Sequence, residues 1–184
     1  MKKTLFFLSI LVYTIQTNAQ KINWMTLNEA LELQKENPKN IIMDVYTNWC
    51  GPCKLLDKNT FQHKDVAAFI NKNYYAVKFN GEGNEIISYE GNDYGNPNYD
   101  ETRANKRNSV HQFANFMGIN AYPTIVFIDN KGGLIMPLRG YYGPDSIELY
   151  LKLFKDDQYK KITNKEQFDQ FNASFVPEFK VKGD

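Results

Sequence analysis

Cysteine is scarce in this sequence: the 184-residue chain has two, Cys50 and Cys53, too close together to staple distant segments. A bond between them closes a very small loop and restrains little of the unfolded ensemble, so stabilisation is a poor reason for the pair. Histidine is equally scarce, with only His63 and His111. Structural zinc needs four ligands, and these two stand at no finger spacing from the cysteines, so no metal is expected. Covalent haem demands His directly after the second cysteine, where this chain has Lys54, and no cofactor is expected. His63 reads as a solvated loop residue and His111 as a helix-surface residue. Excess charge is lacking too: 22 Lys and Arg face 21 Asp and Glu, scattered along the chain, which gives no reason to propose nucleic acid as a partner. There is no internal repeat, and no transmembrane segment follows the first twenty residues. At 42% hydrophobic and 23% charged, the composition is that of an ordinary soluble domain.

The first residues differ from the rest. Lys2 and Lys3 precede an apolar run from Leu5 to Val12, and Thr17-Asn18-Ala19 follows, the three-part pattern of a secretory signal peptide. The alternative, a membrane anchor, needs about 20 apolar residues, and Thr14, Gln16, Thr17 and Asn18 interrupt this stretch. Residues 1–19 are therefore expected to be a signal peptide and 20–184 a single domain in an exported, oxidising compartment, the bacterial periplasm. With no cysteine after the apolar run, lipid attachment there is excluded. After cleavage no stable membrane insertion is expected.

Along the domain, Thr26 and Glu29 have capping-box spacing, with Leu27, Ala30, Leu31 and Leu33 as the apolar positions of a helix ending before Pro38. Ile41 to Tyr46 reads as a central strand broken only by Asp44. A helix over Lys54 to Lys58, a second around Val66 to Ile70 and a strand from Tyr74 to Phe79 complete a βαβ unit with parallel strands. Residues 81–108, rich in Gly, Asn and Tyr, read as an insertion loop. Val110, Phe113, Ala114 and Met117 then give a helix ended by Gly118, and Thr124 to Ile128 a strand. Leu134 to Leu138 should pair back antiparallel at an edge, because Pro137 cannot donate to a ladder. Pro144 and Asp145 open a helix that includes Ile147, Leu149, Leu151 and Phe154, and Thr163 with Glu166 suggests one more. The order β-α-β-α-β-β-α implies an α/β domain, a sheet with helices on both faces.

Cysteine reacts as the thiolate, and its pKa of about 8.5 must fall for that form to be populated at neutral pH. A helix N-terminus lowers it through unpaired N–H groups and the positive end of the macrodipole. Cys50 should therefore be the attacking thiol, with Pro52 suited to the first helical turn and Gly51 permitting close backbone approach. Cys53, one turn inside, can attack the sulfur of Cys50 once a mixed disulfide has formed, completing the exchange.

The run Trp49-Cys50-Gly51-Pro52-Cys53-Lys54 after an apolar strand closely resembles the thioredoxin family, and the resemblance covers roughly Asn23 to Phe154. It implies a thioredoxin fold, with a central mixed β-sheet flanked by helices. Asp44 matches the buried acid behind the second cysteine, Lys78 the lysine that pairs with it, Tyr122-Pro123-Thr124 the cis-proline loop, and Gly140 a glycine before the last helix. The resemblance implies that Asp44 takes the proton from Cys53, its pKa raised by desolvation. Asp44 could equally be a structural acid paired with Lys78, and Lys78 a surface lysine. Pro123 would leave backbone free to pair with an extended substrate segment. Trp49 and Tyr122 flank the same surface, although Trp49 could serve only packing.

Asn59-Thr60-Phe61 and the helix after it are more similar to the thioredoxin-like C-terminal domain of the periplasmic disulfide-interchange reductase. The insertion 81–108, and an extension over 155–184 whose aromatics would cover part of the core, depart from plain thioredoxin. Tyr89, Tyr94 and Tyr99 of the insertion are candidate contacts to protein partners. The expected function is a monomeric thiol–disulfide oxidoreductase acting as a reductant of protein disulfides, supplied with electrons by a donor redox protein. An oxidase or isomerase, or a binding adaptor that uses the insertion, are the alternatives.

Overall fold

The computed structural model describes residues 21–155 and 157–179, so the signal-peptide segment lies outside the described residues. In chain order the elements are β1 (Trp24–Met25), α1 (Leu27–Glu36), β2 (Ile41–Tyr46), α2 (Gly51–Leu56), α3 (Lys64–Asn73), β3 (Tyr75–Asn80), β4 (Ile87–Tyr89) and β5 (Asn92–Tyr94). There follow α4 (Gln112–Phe116), β6 (Thr124–Ile128), β7 (Leu134–Arg139), α5 (Pro144–Lys155) and α6 (Lys165–Ser174). A π-helical segment over Asp57–Phe61 joins α2 to α3.

The main sheet runs β1-β3-β2-β6-β7. β2 and β3 are parallel, as a right-handed crossover through α2 and α3 demands, and β6 and β7 pair antiparallel, leaving β7 with Pro137 at the edge. β1 was not expected; two residues carry too little periodicity to read, and its parallel pairing with β3 is decided by position. Both faces of β2 are buried. Ile41, Met43 and Val45 join a cluster with α1 and α4, whereas Ile42 joins the opposite one with α3 and α5. Asp44 shares the face of Ile42, the side on which α2 lies.

Thr26 caps α1 with Glu29 in a full capping box. The helix of the extension starts one residue later than Thr163 suggested: Oδ1 of Asn164 accepts the Gln167 amide at 2.9 Å, while Thr163 donates its own amide to the Gln167 side chain. Tyr159, Ile162, Phe168, Phe171 and Phe179 pack on the α3–α5 cluster, so the extension does cover the core. Its last described residues are held by Glu148, whose buried carboxylate accepts the amides of Glu178 and Phe179 at 2.8–3.0 Å and pairs with Lys152 at 2.6 Å.

Two readings need correction. The insertion is not simply a loop: β4 and β5 form an antiparallel hairpin, and Ile87 and Tyr89 are buried against the α1–α4 face. Three-residue strands among Gly and Asn were too short to show periodicity. His111 is fully buried rather than on a helix surface. It caps α4, its Nδ1 accepting the Phe113 amide at 3.0 Å while Nε2 lies 2.7 Å from the Glu85 carbonyl oxygen. That pattern places the proton on Nε2, and burial holds the imidazole pKa below its usual value, despite the opposing carbonyl contact. His63 is half-buried at the start of α3.

Candidate active site

Cys50 is the N-cap of α2, and its Sγ accepts the Cys53 amide at 3.1 Å. Pro52 fits this first turn because its missing N–H would have no helical partner there. Cys50 and Cys53 are bonded to each other and nearly buried, while Gly51 and Pro52 are exposed. An anion released at Cys50 by reduction would face the unpaired amides of the turn, which is the local reason for its activation.

Beneath this turn lies Asp44, 1% exposed, with neither carboxylate oxygen hydrogen-bonded among the described residues. Register aligns it with Lys78 on the neighbouring strand, whose Nζ stands 3.4 Å from Oδ2. Desolvation raises the Asp44 pKa to about 6, and the Lys78 charge only partly opposes this. Lys78 is therefore no free surface lysine. Its shorter contact, 2.6 Å, is to Asp57, one helical turn beyond Cys53. Burial works against the charge on Lys78, but the two carboxylates outweigh it and hold its pKa above the usual value. Asp57 likewise loses to burial but gains more from its bonds to Lys78 and Gln62, and sits below the usual carboxylate range. Asp44, Thr47, Cys53, Asp57 and Lys78 line one cavity of about 250 Å³, into which the second cysteine and the buried acid both open.

On the other side of the cysteines the Tyr122–Pro123 peptide bond is cis, and the Pro123 carbonyl accepts the Gly140 amide at 2.9 Å. Gly140 has φ of +100°, a conformation L side chains rarely adopt. The Tyr122 hydroxyl donates to the Gly81 carbonyl at 3.2 Å, and its ring meets Trp49 edge to face at 6.3 Å. Burial pushes the Tyr122 hydroxyl up to about 12, so it stays protonated at neutral pH.

The structure thus brings Asp44, Lys78 and Cys53 together on one side, and Trp49, Tyr122 and Pro123 on the other. It does not do so for Tyr89 and Tyr94 of the insertion. Tyr89 is buried with its hydroxyl on the Gly132 carbonyl, and Tyr94, half-buried, packs on Phe113 and Phe116, so the first belongs to the core and the second lies against it. Asp57 could have been found from its four-residue spacing to Cys53; Glu82, which accepts the Trp49 indole N–H at 2.7 Å, left no pattern in the sequence.

A Cys-x-x-Cys disulfide opening a helix at the C-terminal edge of this mixed sheet is the arrangement of a thioredoxin-like fold of the thiol–disulfide oxidoreductase type. Residues 27–155 match the family of thioredoxin-like domains, and the chain belongs to it. Among solved structures, a candidate disulphide-isomerase from Bacteroides thetaiotaomicron is 27% identical, with a TM-score of 0.51 over 74% of this chain and 94% of that one. A DsbH oxidoreductase, 18% identical, aligns with a TM-score of 0.55 over 80% of this chain and 94% of that one. A thioredoxin-fold protein from Helicobacter pylori, 17% identical, aligns at 0.57 over 85% and 87%. The likeness to the last two shows the fold alone. No curated protein matches the chain. Among the described residues no helix is long and apolar enough to cross a membrane.

Proposed function

We propose that this protein is an exported, periplasmic oxidoreductase that reduces disulfides in protein substrates through its Cys50–Cys53 dithiol. The observation that carries the reading is a redox pair at a helix N-terminus above a buried carboxyl, Asp44, with a pKa of about 6. The thiolate of Cys50 attacks one sulfur of the substrate disulfide; a Cys50–substrate bond forms and the other substrate sulfur leaves as a thiolate. Asp44, ionised at neutral pH, takes the proton from Cys53. The Cys53 thiolate then attacks Cys50 Sγ, the Cys50–Cys53 bond forms, and the second substrate thiolate is released. Two electrons pass to the substrate, whose two thiolates take up protons from solvent and from Asp44. The orphaned oxygens of Asp44 and Thr47 would give water in the cavity its polar partners for that transfer. Trp49, Gly51, Pro52, Tyr122 and Pro123 form the surface on which an extended substrate segment lies, and a dithiol redox protein returns the electrons.

Gly51-Pro52 between the cysteines resembles the reducing thioredoxins, which supports the reductant direction. The likeness to the Bacteroides protein favours isomerase as the second reading. The equilibrium reduction potential separates oxidant from reductant: a value near about −270 mV is expected, and one near about −120 mV rejects the reductase reading. Cys53→Ser is expected to trap substrate proteins as mixed disulfides on Cys50. Faster rearrangement of a scrambled-disulfide substrate than net reduction would favour the isomerase.

A further inference from the structure

The return limb of the insertion, residues 100–108, is a built part of the active-site rim. Its ends are clasped, the Asp100 amide donating to Oδ1 of Asn108 at 3.0 Å and Nδ2 of Asn108 to the Asp100 carbonyl at 2.8 Å. It is docked by Nδ2 of Asn48 on the Ala104 carbonyl and by the Asn108 amide on Oε2 of Glu82, each at 2.8 Å. The same oxygen of Glu82, a residue only 8% exposed, accepts the Trp49 indole N–H. One buried carboxylate therefore ties the limb to the residue that precedes Cys50.

This docking places the Arg107 guanidinium over the Trp49 ring, with Cζ 4.8 Å from the centroid. The guanidinium carries its five N–H donors in a fork that suits a planar acceptor such as a carboxylate. Arg107 is exposed and, among the described residues, pairs with no carboxylate. The contacts of Glu82 are to the indole N–H and the Asn108 amide. Arg103 and Lys106 are exposed on the same limb, as are two acids, Asp100, whose Oδ1 accepts from Thr102, and Glu101.

We propose that Arg107 is a specificity-determining residue that pairs with a carboxylate flanking the target disulfide, so that protein substrates carrying Asp or Glu beside the attacked cysteine are preferred. This rests on the oxidoreductase reading above. Trp49, which holds the cation, is the residue that immediately precedes Cys50.

The test uses the reduced full chain with two disulfide-linked peptides that differ only in Glu or Lys next to the cysteine, together with glutathione disulfide and uncharged dipyridyl disulfide. The Glu peptide is expected to have a kcat/KM about three- to fivefold above the Lys peptide at low salt, the range of an exposed ion pair. The ratio should shrink as salt rises, invert in Arg107→Glu and persist in part in Arg107→Lys. A ratio of one, or a preference that Arg107→Glu leaves in place, overturns the proposal. So does a dependence on Arg107 seen with glutathione disulfide and with neither peptide, which would assign the carboxylate to a small thiol. Absence of turnover with dipyridyl disulfide is a different failure, that of the oxidoreductase reading itself.

Discussion

Asp44 and Glu148 are both buried carboxylates on the same side of the sheet, and the protein treats them in opposite ways. Glu148, 0% exposed, is fully engaged: two backbone amides and the Lys152 ammonium surround it. Asp44, 1% exposed, has no hydrogen bond among the described residues and a cation only at 3.4 Å. A buried charge is tolerable when paired and hydrogen-bonded, so Glu148 behaves as a clamp for the C-terminal extension. A buried carboxyl left without those partners has its proton affinity raised into the range useful for catalysis. The contrast teaches that burial by itself says nothing about role; the donors around the oxygens decide it.

The comparison breaks most visibly at the clamp. Glu148→Ala removes the acceptor of the Glu178 and Phe179 amides and uncouples Lys152, and should cost about 3 kcal/mol in urea unfolding, with earlier proteolysis after Lys155. A loss under about 1 kcal/mol would mean that the extension is held by its aromatics alone.

Asp44→Asn should do the reverse for stability while slowing chemistry. The folded pKa of Asp44 is raised from 3.8 to about 6, so the folded state holds this proton more tightly than the unfolded chain. Stability from this group is fully present below about pH 4, declines as pH rises through about 6, and stays reduced above it. The difference is on the order of 3 kcal/mol, taking 1.36 kcal/mol per pKa unit. The Asp44→Asn variant would escape that loss, so its stability relative to wild type should improve between about pH 4 and 6. Turnover should fall about 100-fold, as expected for loss of a general base, and the rise in rate through about pH 6 should vanish. An unchanged pH–rate profile would assign Asp44 a structural role.

The smallest effect sharpens the electrostatics. Lys78→Met removes the nearest cation from Asp44 and should move the rising limb of the pH–rate profile upward by about one unit. A limb that stays in place would show that desolvation alone sets the Asp44 pKa.

Much of the site was legible because its spacing is local. Cys50, Pro52 and Cys53 fall within one helical turn, and the βαβ pattern places that turn at a strand end. The acid was visible as a charge in an apolar strand. Its neighbour Lys78 could not be placed from alternation, since only the parallel register of β2 and β3 sets Lys78 beside Asp44. The hairpin at 87–94 was missed because its strands are three residues long, and with it the burial of Tyr89 and the packing of Tyr94 on the core. His111 was misplaced because a histidine cap looks like any polar residue until the groups packed on it are known.

By itself, then, the sequence determined the chemistry: a thiol pair at the start of a helix, on a β-α-β frame whose periodicities are local and short-ranged. Tertiary structure decided which groups modify that chemistry. Glu82 and Arg107 reach the site from an insertion, and contacts between residues distant in the chain depend on register and docking, which no local pattern encodes.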